Sequence, residues 1–356
     1  MTRAPQAGSG PSTAAARTAG KWRIARLDTV SRAALFGFGV AVVLLAVLPF
    51  VFGAAAQNVM TSIFLLVTMA SMWNLLAGYA GLVSFGQQAF VGVGAYSVLV
   101  MVRAGLDPFV SVPLAALVSF LIAVPLSYGL FRTRGAYFAI ATWVVAEAFR
   151  LLVITVPALG GGEGATLPPT GYDPVVRTAL TYWTALVLVV VSLVGIWLLL
   201  RSKLGLDAAA VRDDEHAAFG LGVNTDRARR IPYLVSAAGF GTVGAVLFLS
   251  NLRVEPASIF SVNYSANAFF MALIGGVGTI EGPILGALIF YGLQYFLSPL
   301  GSWYLVILGL LAIVVMLVIP QGIWGWISRR TGAVLFPIGY RLRPARSSQD
   351  KTRDAG

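Results

Sequence analysis

Apolar residues in this chain do not alternate with polar ones at strand spacing, nor recur as the narrow stripe of a surface helix. They run together in long blocks. A helix needs about 20 largely apolar residues to cross a bilayer. Such blocks recur near 33–55, 58–77, 83–102, 109–131, 136–156, 179–200, 231–251, 263–279, 283–299 and 302–320. The pattern predicts an all-α polytopic membrane protein with about ten transmembrane helices. Residues 1–32 lack apolar periodicity, are rich in Ala, Gly, Ser, Thr and Arg, and predict a disordered basic N-terminus. The membrane domain covers 33–320, and 321–356 reads as a basic C-terminal tail.

Composition supports that division. Hydrophobic residues make up 58% of the chain and charged ones 11%, where a soluble domain carries about a quarter charged residues. Lipid must therefore cover part of the apolar surface. The formal charge of +11 is spread between the apolar blocks, which fits orientation in a membrane better than nucleic-acid binding. With ten spans and the N-terminus inside, all 25 Lys and Arg residues except Arg103, Arg150, Arg177 and Arg253 fall in segments on the inner side. The positive-inside rule then predicts an even number of spans and both termini in the cytoplasm. Cysteine is absent, which removes disulfides, zinc thiolates and thiol chemistry.

Two stretches depart from plain lipid-facing helix. The first contains Asn74, Gly78, Tyr79, Gly81, Ser84, Gln87 and Gln88, and the second Gly275, Gly276 and Gly278. Glycine weakens a helix, and a glutamine is costly in hydrocarbon. Irregular or polar backbone at membrane depth is tolerated where protein buries it or where it lines a watery cavity. Two readings follow: close helix packing through small residues, or a translocation path. The stretches occupy corresponding halves of the chain, and five spans per half would make those halves an inverted repeat.

Candidate chemistry is sparse. The chain has no Gly-rich phosphate loop ending in Lys-Ser or Lys-Thr, so ATP, if used, is bound by another subunit and this chain needs no cofactor. The single histidine, His216, follows Asp213, Asp214 and Glu215. Four consecutive helical residues point in four directions, which argues against a metal site. Asp207 predicts the cap of a short helix over about 208–219, with Gly220 as its stop. Ala208, Val211, Ala218 and Phe219 supply an apolar face, and Arg212, Asp213, Asp214 and Glu215 a polar one. The segment reads either as a helix lying on the surface or as one that docks in a groove of a cytoplasmic partner. In the fifth span, Glu147 and Arg150 stand three residues apart. Each would cost roughly 2.5–3.5 kcal/mol at mid-membrane. They form either a self-neutralising pair or a polar station where Arg150 meets a solute carboxylate and Glu147 an ammonium group.

Several motifs resemble one family. The run from Asn74 to Tyr96 resembles the signature of the branched-chain amino acid ABC importer permeases. Arg134, Gly135, Tyr137, Phe138 and Thr142, followed by Glu147 and Arg150, resemble the LivM-type subunit. So do Gly160 to Gly164, the loop from Arg201 to Asn224, and the late motif of Gly275, Gly276, Gly278, Gly282, Pro283 and Gly286. The resemblance covers roughly 33–320. It departs at Gln87, Gln88 and His216, and in the external Gly-Gly-Gly-Glu run, which lacks the usual Thr. It implies a multi-pass permease of a bacterial inner membrane that pairs with a second, related permease. Two cytoplasmic ATPases and an extracytoplasmic solute-binding protein would complete the importer, and the helix near 208–219 would be the ATPase coupling helix. The implied solute is leucine, isoleucine or valine, with urea or another small polar solute as the alternative. An ion-coupled secondary transporter is the rival class and predicts buried carboxylates at mid-membrane. A membrane enzyme would need convergent acidic or basic groups at one face.

Overall fold

The computed structural model describes residues 22–25, 29–297, 303–319, 321–331, 336 and 341–344. Most of the N-terminal segment expected to be disordered, residues 1–21, lies outside the described residues. The helices are α1 (Thr29–Val51), α2 (Ala54–Asn74, prolonged by a π-helical turn, Leu75–Tyr79), α3 (Gln88–Arg103), α4 (Pro108–Leu130), α5 (Ala136–Ile154) and α6 (Pro174–Arg201). They continue with α7 (Lys203–Asp213), α8 (Glu215–Gly220), α9 (Thr225–Asn251), α10 (Pro256–Ile259), α11 (Asn263–Gly275), α12 (Glu281–Leu297), α13 (Trp303–Val318) and α14 (Gly322–Thr331). Two short antiparallel pairs accompany them: β1 (Trp22–Ala25) with β4 (Arg341–Pro344), and β2 (Ala165–Thr166) with β3 (Arg253–Val254).

Local sequence sets the helix ends. Asp107 and Asp173 each precede a proline, and their carboxylates accept amide hydrogens from the first turns of α4 and α6. A side-chain cap followed by Pro at the first helical position is a strong start signal. Asn224 caps α9 without a following proline, its side-chain oxygen accepting the Arg227 amide.

Among the described residues, six helical segments are long and apolar enough to cross a membrane: Ala54–Tyr79, Pro108–Leu130, Ala136–Ile154, Pro174–Arg201, Thr225–Asn251 and Pro256–Gly275, the last joining α10 and α11. The chain is a multi-pass α-helical membrane protein. The remaining apolar blocks hold α1, α3, α12 and α13, the last three of 16 to 17 residues. The block at 83–102 yields a short helix because residues 83–87 are irregular and α3 begins only at Gln88. Two edges differ from the sequence pattern. β1 and the start of α1 at Thr29 lie within 1–32, the segment expected to be disordered. The tail expected over 321–356 contains α14, because Ile323, Trp324 and Ile327 give it an apolar side that is half-buried.

The core lies where α2, α3 and α9 meet, with Trp73, Phe90, Tyr233, Phe240 and Phe248 fully enclosed. Small residues let these backbones touch. A Cβ on Gly94 would stand 1.8 Å from the Gly241 carbonyl oxygen, and one on Gly244 would stand 1.8 Å from that of Val91. This is the small-residue packing by which membrane helices associate without a hydrophobic drive between them.

The connections between helices gather into two sets. One contains the 78–87 segment, the α4–α5 turn, the α7–α8 region, the α11–α12 turn, α14 and Phe336. Its ties include Arg212 to Gly78, Glu215 to Arg134 and Arg229, Asn74 to Gly278, and the Phe336 amide to Glu281. The other contains the α3–α4 turn, the 155–173 loop and the α9–α10 link. Its ties are Arg103 to the Ala158 carbonyl, Tyr172 to Asp107, and the β2–β3 pair. Helices α4, α6 and α9 run from one set to the other, so the sets mark opposite ends of the bundle.

Candidate functional site

The first glycine-rich stretch leaves the π-helical end of α2 and runs as irregular backbone between the helices until α3 begins at Gln88. Ser84 and Gln87 have no exposed surface and Gln88 1%. Backbone polar groups at this depth need partners from protein, and side chains supply them. Trp73 Nε1 donates to the Ser84 carbonyl at 2.9 Å. The Phe85 amide donates to Thr142 Oγ1 at 3.2 Å, and the Gln88 amide to Ser265 Oγ at 3.3 Å. Ser265 in turn donates its hydroxyl to Gln88 Oε1, and Gln87 Nε2 donates to Ser84 Oγ at 3.2 Å. Gly86 lies so close to α5 that a Cβ there would be 2.1 Å from the Thr142 carbonyl oxygen. In the chain by itself these residues are interior, packed and hydrogen-bonded. The sequence points to Ser84, Gln87 and Gln88, and to Thr142 only as part of a family-like motif; it does not mark Thr142 or Ser265 as their partners, because nothing local marks a partner 57 or 177 residues away.

The two glycine-rich stretches meet. Asn74 Oδ1 accepts the Gly278 amide at 2.8 Å, while its Nδ2 donates to the Thr279 carbonyl at 2.8 Å. Gly78 sits against the same turn, where a Cβ would lie 2.6 Å from the Gly278 nitrogen. On the far side of that turn Gly275 packs on Gly282, and Gly276 packs beside Gln321 and Gly322 at the start of α14. Tyr79 is buried, and its hydroxyl has no hydrogen-bond partner among the described residues.

The loop between α6 and α9 differs from its sequence reading. Instead of one helix capped by Asp207, it forms an elbow of α7 and α8. Helix α7 begins at Lys203, so Asp207 lies inside it. The chain breaks at Asp214, whose carboxylate accepts the His216 and Ala217 amides at 2.9 and 3.0 Å and caps α8. These amide contacts, Ala217 foremost, hold the Asp214 carboxyl below the usual carboxylate range. Of two aspartates able to cap, the one beside the break wins. Gly220 is the last residue of α8, and the positive φ falls at Gly222 instead.

The elbow is fastened inward by charge. Glu215 pairs with Arg229 of α9 at 2.6 Å and with Arg134 of the α4–α5 turn at 3.4 Å. Arg212 pairs with Asp213 at 2.8 Å and donates to the Gly78 carbonyl at 2.5 Å. Val211 and Ala218 are buried against Ala228. Phe219 and Leu221 point the other way, 73% and 83% exposed. The apolar face expected over Ala208, Val211, Ala218 and Phe219 is therefore divided: Ala208, Val211 and Ala218 pack inward, and Phe219 faces outward. Among the described residues no group of three His, Asp or Glu side chains could hold a metal ion.

Glu147 and Arg150 form a bidentate pair on α5, with Arg150 Nε 2.9 and 3.0 Å from the two Glu147 oxygens. Helix α5 is peripheral. Tyr137, Ile140, Val144 and Leu151 are exposed large residues, and at helical spacing they share one face with Glu147. The sequence placed this pair correctly but gave no hint that the face around it would be open.

Comparison with known proteins supplies a family. The family model described as "Branched-chain amino acid transport system / permease component" matches residues 55–319. The high-affinity branched-chain amino acid transport system permease protein LivM of Salmonella typhimurium strain LT2 is 28% identical over 305 residues, covering 77% of this chain and 71% of its own. LivM of Escherichia coli K12 is 28% identical over 317 residues, covering 80% of this chain and 74% of its own. The permease protein LivH of E. coli K12 is 28% identical over 181 residues, 48% of this chain and 56% of its own. No solved structure matches the chain. The family match runs from the first turn of α2 to the end of α13, so the chain belongs to the family of branched-chain amino acid transport system permease components, which are not themselves catalytic.

Proposed function

We propose that this chain is the LivM-type permease of an ATP-driven importer for leucine, isoleucine and valine. It works with a second, LivH-like permease, two cytoplasmic ATPases and an extracytoplasmic binding protein. The observation that carries the reading is the α7–α8 elbow. It presents two large apolar side chains, Phe219 and Leu221, outward from a polar loop, while Glu215 fastens its inner side to Arg134 and Arg229. Exposed apolar residues on an anchored helix mark a protein contact. ATP binding would draw the ATPases together, the elbows would follow, and the cavity between the permeases would alternate its opening.

Ten crossings with both termini in the cytoplasm fit this arrangement. The pairing of β1 with β4 supports an even count, since residues 22–25 and 341–344 then share one side. The end of the bundle that carries the elbow also carries most of the basic residues, as the inner side should. One glycine-rich stretch from each half of the chain enters the Asn74–Gly278 contact, which is compatible with two inverted repeats. For the path itself, the open stripe of α5 is the strongest candidate. A charged pair within an exposed apolar face is expensive in lipid and affordable beside water or a partner helix, so this stripe faces the second permease and the solute. The buried residues from Ser84 to Gln88 then support the path from behind.

The test is reconstitution of all five components in proteoliposomes. Leucine uptake should require ATP and the binding protein. Phe219→Asp and Leu221→Asp should insert normally but lose the ATPases on purification. Uptake by this chain alone without ATP would replace the reading with an ion-coupled transporter. Uptake of urea and not leucine would keep the mechanism and change the solute.

A further inference from the structure

The inner side of the elbow carries a contact that docking does not require. The last turn of α2 is π-helical. A π turn disturbs the regular pairing of carbonyls along a helix and is frequent at functional positions. Here the Ala80 and Leu82 amides both point to the Leu76 carbonyl. The Gly78 carbonyl receives the Arg212 guanidinium instead, at 2.5 Å. A guanidinium is charged at every relevant pH and offers five donors in a fixed fork. The neighbouring Asp213 carboxylate, 2.9 Å from Arg212 Nε, holds that fork in place.

The surrounding glycines are shaped to this contact. Gly81 has φ +69°, and a Cβ there would stand 3.0 Å from Arg212 Cγ. Gly78 packs directly on Gly278, and one turn earlier Asn74 holds the Gly278 amide and the Thr279 carbonyl. Arg212, Gly78 and Gly278 thus form one unbroken line from the elbow, through the end of α2, to the α11–α12 turn. A cavity of about 240 Å³ beside it, lined by Gly81, Leu82, Val83, Arg134 and Arg229 among others, leaves the 81–83 segment room to shift.

We propose that Arg212 is a positioning residue that carries motion of the elbow into the π turn of α2 and from there into the α11–α12 turn. The inference rests on the reading of the elbow as the ATPase dock, since only a docked elbow receives a driven motion. Contiguity alone does not demonstrate coupling, so the test reads coupling separately from assembly.

The complete importer is purified with this chain as wild type, Arg212→Ala, Arg212→Lys or Gly81→Ala. ATPase retention, ATP hydrolysis and uptake per ATP hydrolysed are measured in proteoliposomes. Arg212→Ala should keep its ATPases and still hydrolyse ATP, with uptake per ATP reduced at least tenfold. Arg212→Lys, which keeps the charge but not the fork, should fall between the two. Gly81→Ala, which strains a positive-φ position and crowds the Arg212 stem at Cγ beside Gly78, should reproduce the loss. If Arg212→Ala fails to fold, Arg212→Lys and Gly81→Ala decide. Uptake per ATP within twofold of wild type in the variants that assemble overturns the proposal. Loss of the ATPases from Arg212→Ala makes Arg212 part of the dock and also overturns it. Retention of the ATPases by Phe219→Asp and Leu221→Asp is a separate result, and refutes the docking role on which the inference depends.

Discussion

The amide of Gly278 is held by Asn74, whose Oδ1 accepts it at 2.8 Å across 204 residues of sequence. The Asn74 Nδ2 donates to the next carbonyl, that of Thr279, at 2.8 Å. One side chain therefore satisfies a donor and an acceptor of a turn whose backbone cannot pair with itself. Leaving a buried donor or acceptor unsatisfied costs about 1–3 kcal/mol. Asn74→Ala strands both and should lower the thermal midpoint of the detergent-solubilised protein clearly. Asn74→Asp keeps the acceptor for Gly278 and loses the donor, adding a charge, so it should not restore the wild-type midpoint. An unchanged midpoint for Asn74→Ala would mean that the clamp contributes nothing.

A second prediction concerns the α3–α9 crossing. Gly94→Ala would set a Cβ 1.8 Å from the Gly241 carbonyl oxygen, and Gly244→Ala one 1.8 Å from that of Val91. Backbone cannot turn aside as a side-chain tip can, and overpacking typically costs about 1–3 kcal/mol. Both variants should reduce the yield of monodisperse protein in size-exclusion chromatography. Gly292→Ala is the control, since its Cβ meets nothing within 4 Å, and it should match wild type. Equal behaviour of all three would refute the close approach.

These two cases show what a sequence can and cannot disclose. The apolar blocks locate the helices because crossing a bilayer demands length and apolarity together. Glycine-rich stretches announce that something unusual happens near Gly81 and Gly278. They do not announce that the two segments touch, because periodicity reports only which residues share a face of one element. Capping has the same weakness. Asp207 and Asp214 have equal intrinsic ability to start a helix, and the one that caps, Asp214, stands beside Glu215, which is tied to Arg134 and Arg229. Phe219 was legible as part of an apolar face. Its outward direction is set by the packing of Val211 and Ala218 against Ala228, a contact between elements that no local pattern carries.

A third prediction follows from the opposite end of the bundle. The Tyr172 hydroxyl donates to Asp107 Oδ2 at 2.5 Å, and the Val110 and Phe109 amides also point at this carboxylate. These contacts, Tyr172 first, hold the Asp107 carboxyl below its ordinary value, and the same bond pushes the Tyr172 hydroxyl up. A carboxylate with a depressed folded pKa contributes stability above its unfolded pKa, near 3.9. That contribution disappears as pH falls through the lower folded value. Tyr172→Phe should therefore lower the melting temperature at pH 7, and the gap to wild type should narrow as the pH drops below about 4. A gap that stays constant from pH 7 to pH 3 would exclude the ionised Asp107 as its source.

The last prediction decides what the charged pair on α5 is for. Glu147 and Arg150 satisfy one another, so removing one partner leaves a lone charge on an open helix face. At mid-membrane that is worth roughly 2.5–3.5 kcal/mol on insertion scales. Glu147→Gln and Arg150→Gln should each impair either assembly or uptake, and neither alone tells packing from solute contact. The exchange Glu147→Arg with Arg150→Glu separates them. It preserves the pair, the helical spacing and the net charge, and it reverses where each sign stands. If the pair serves only to neutralise itself, the doubly exchanged chain should assemble with its partners and import leucine at close to the wild-type rate. If Arg150 meets the solute carboxylate and Glu147 its ammonium group, assembly should recover while uptake stays at least tenfold low, with binding-protein docking and ATP hydrolysis intact. The position of the pair favours the second result, because Glu147 lies in the same exposed stripe as Ile140, Val144 and Leu151 and not against the core.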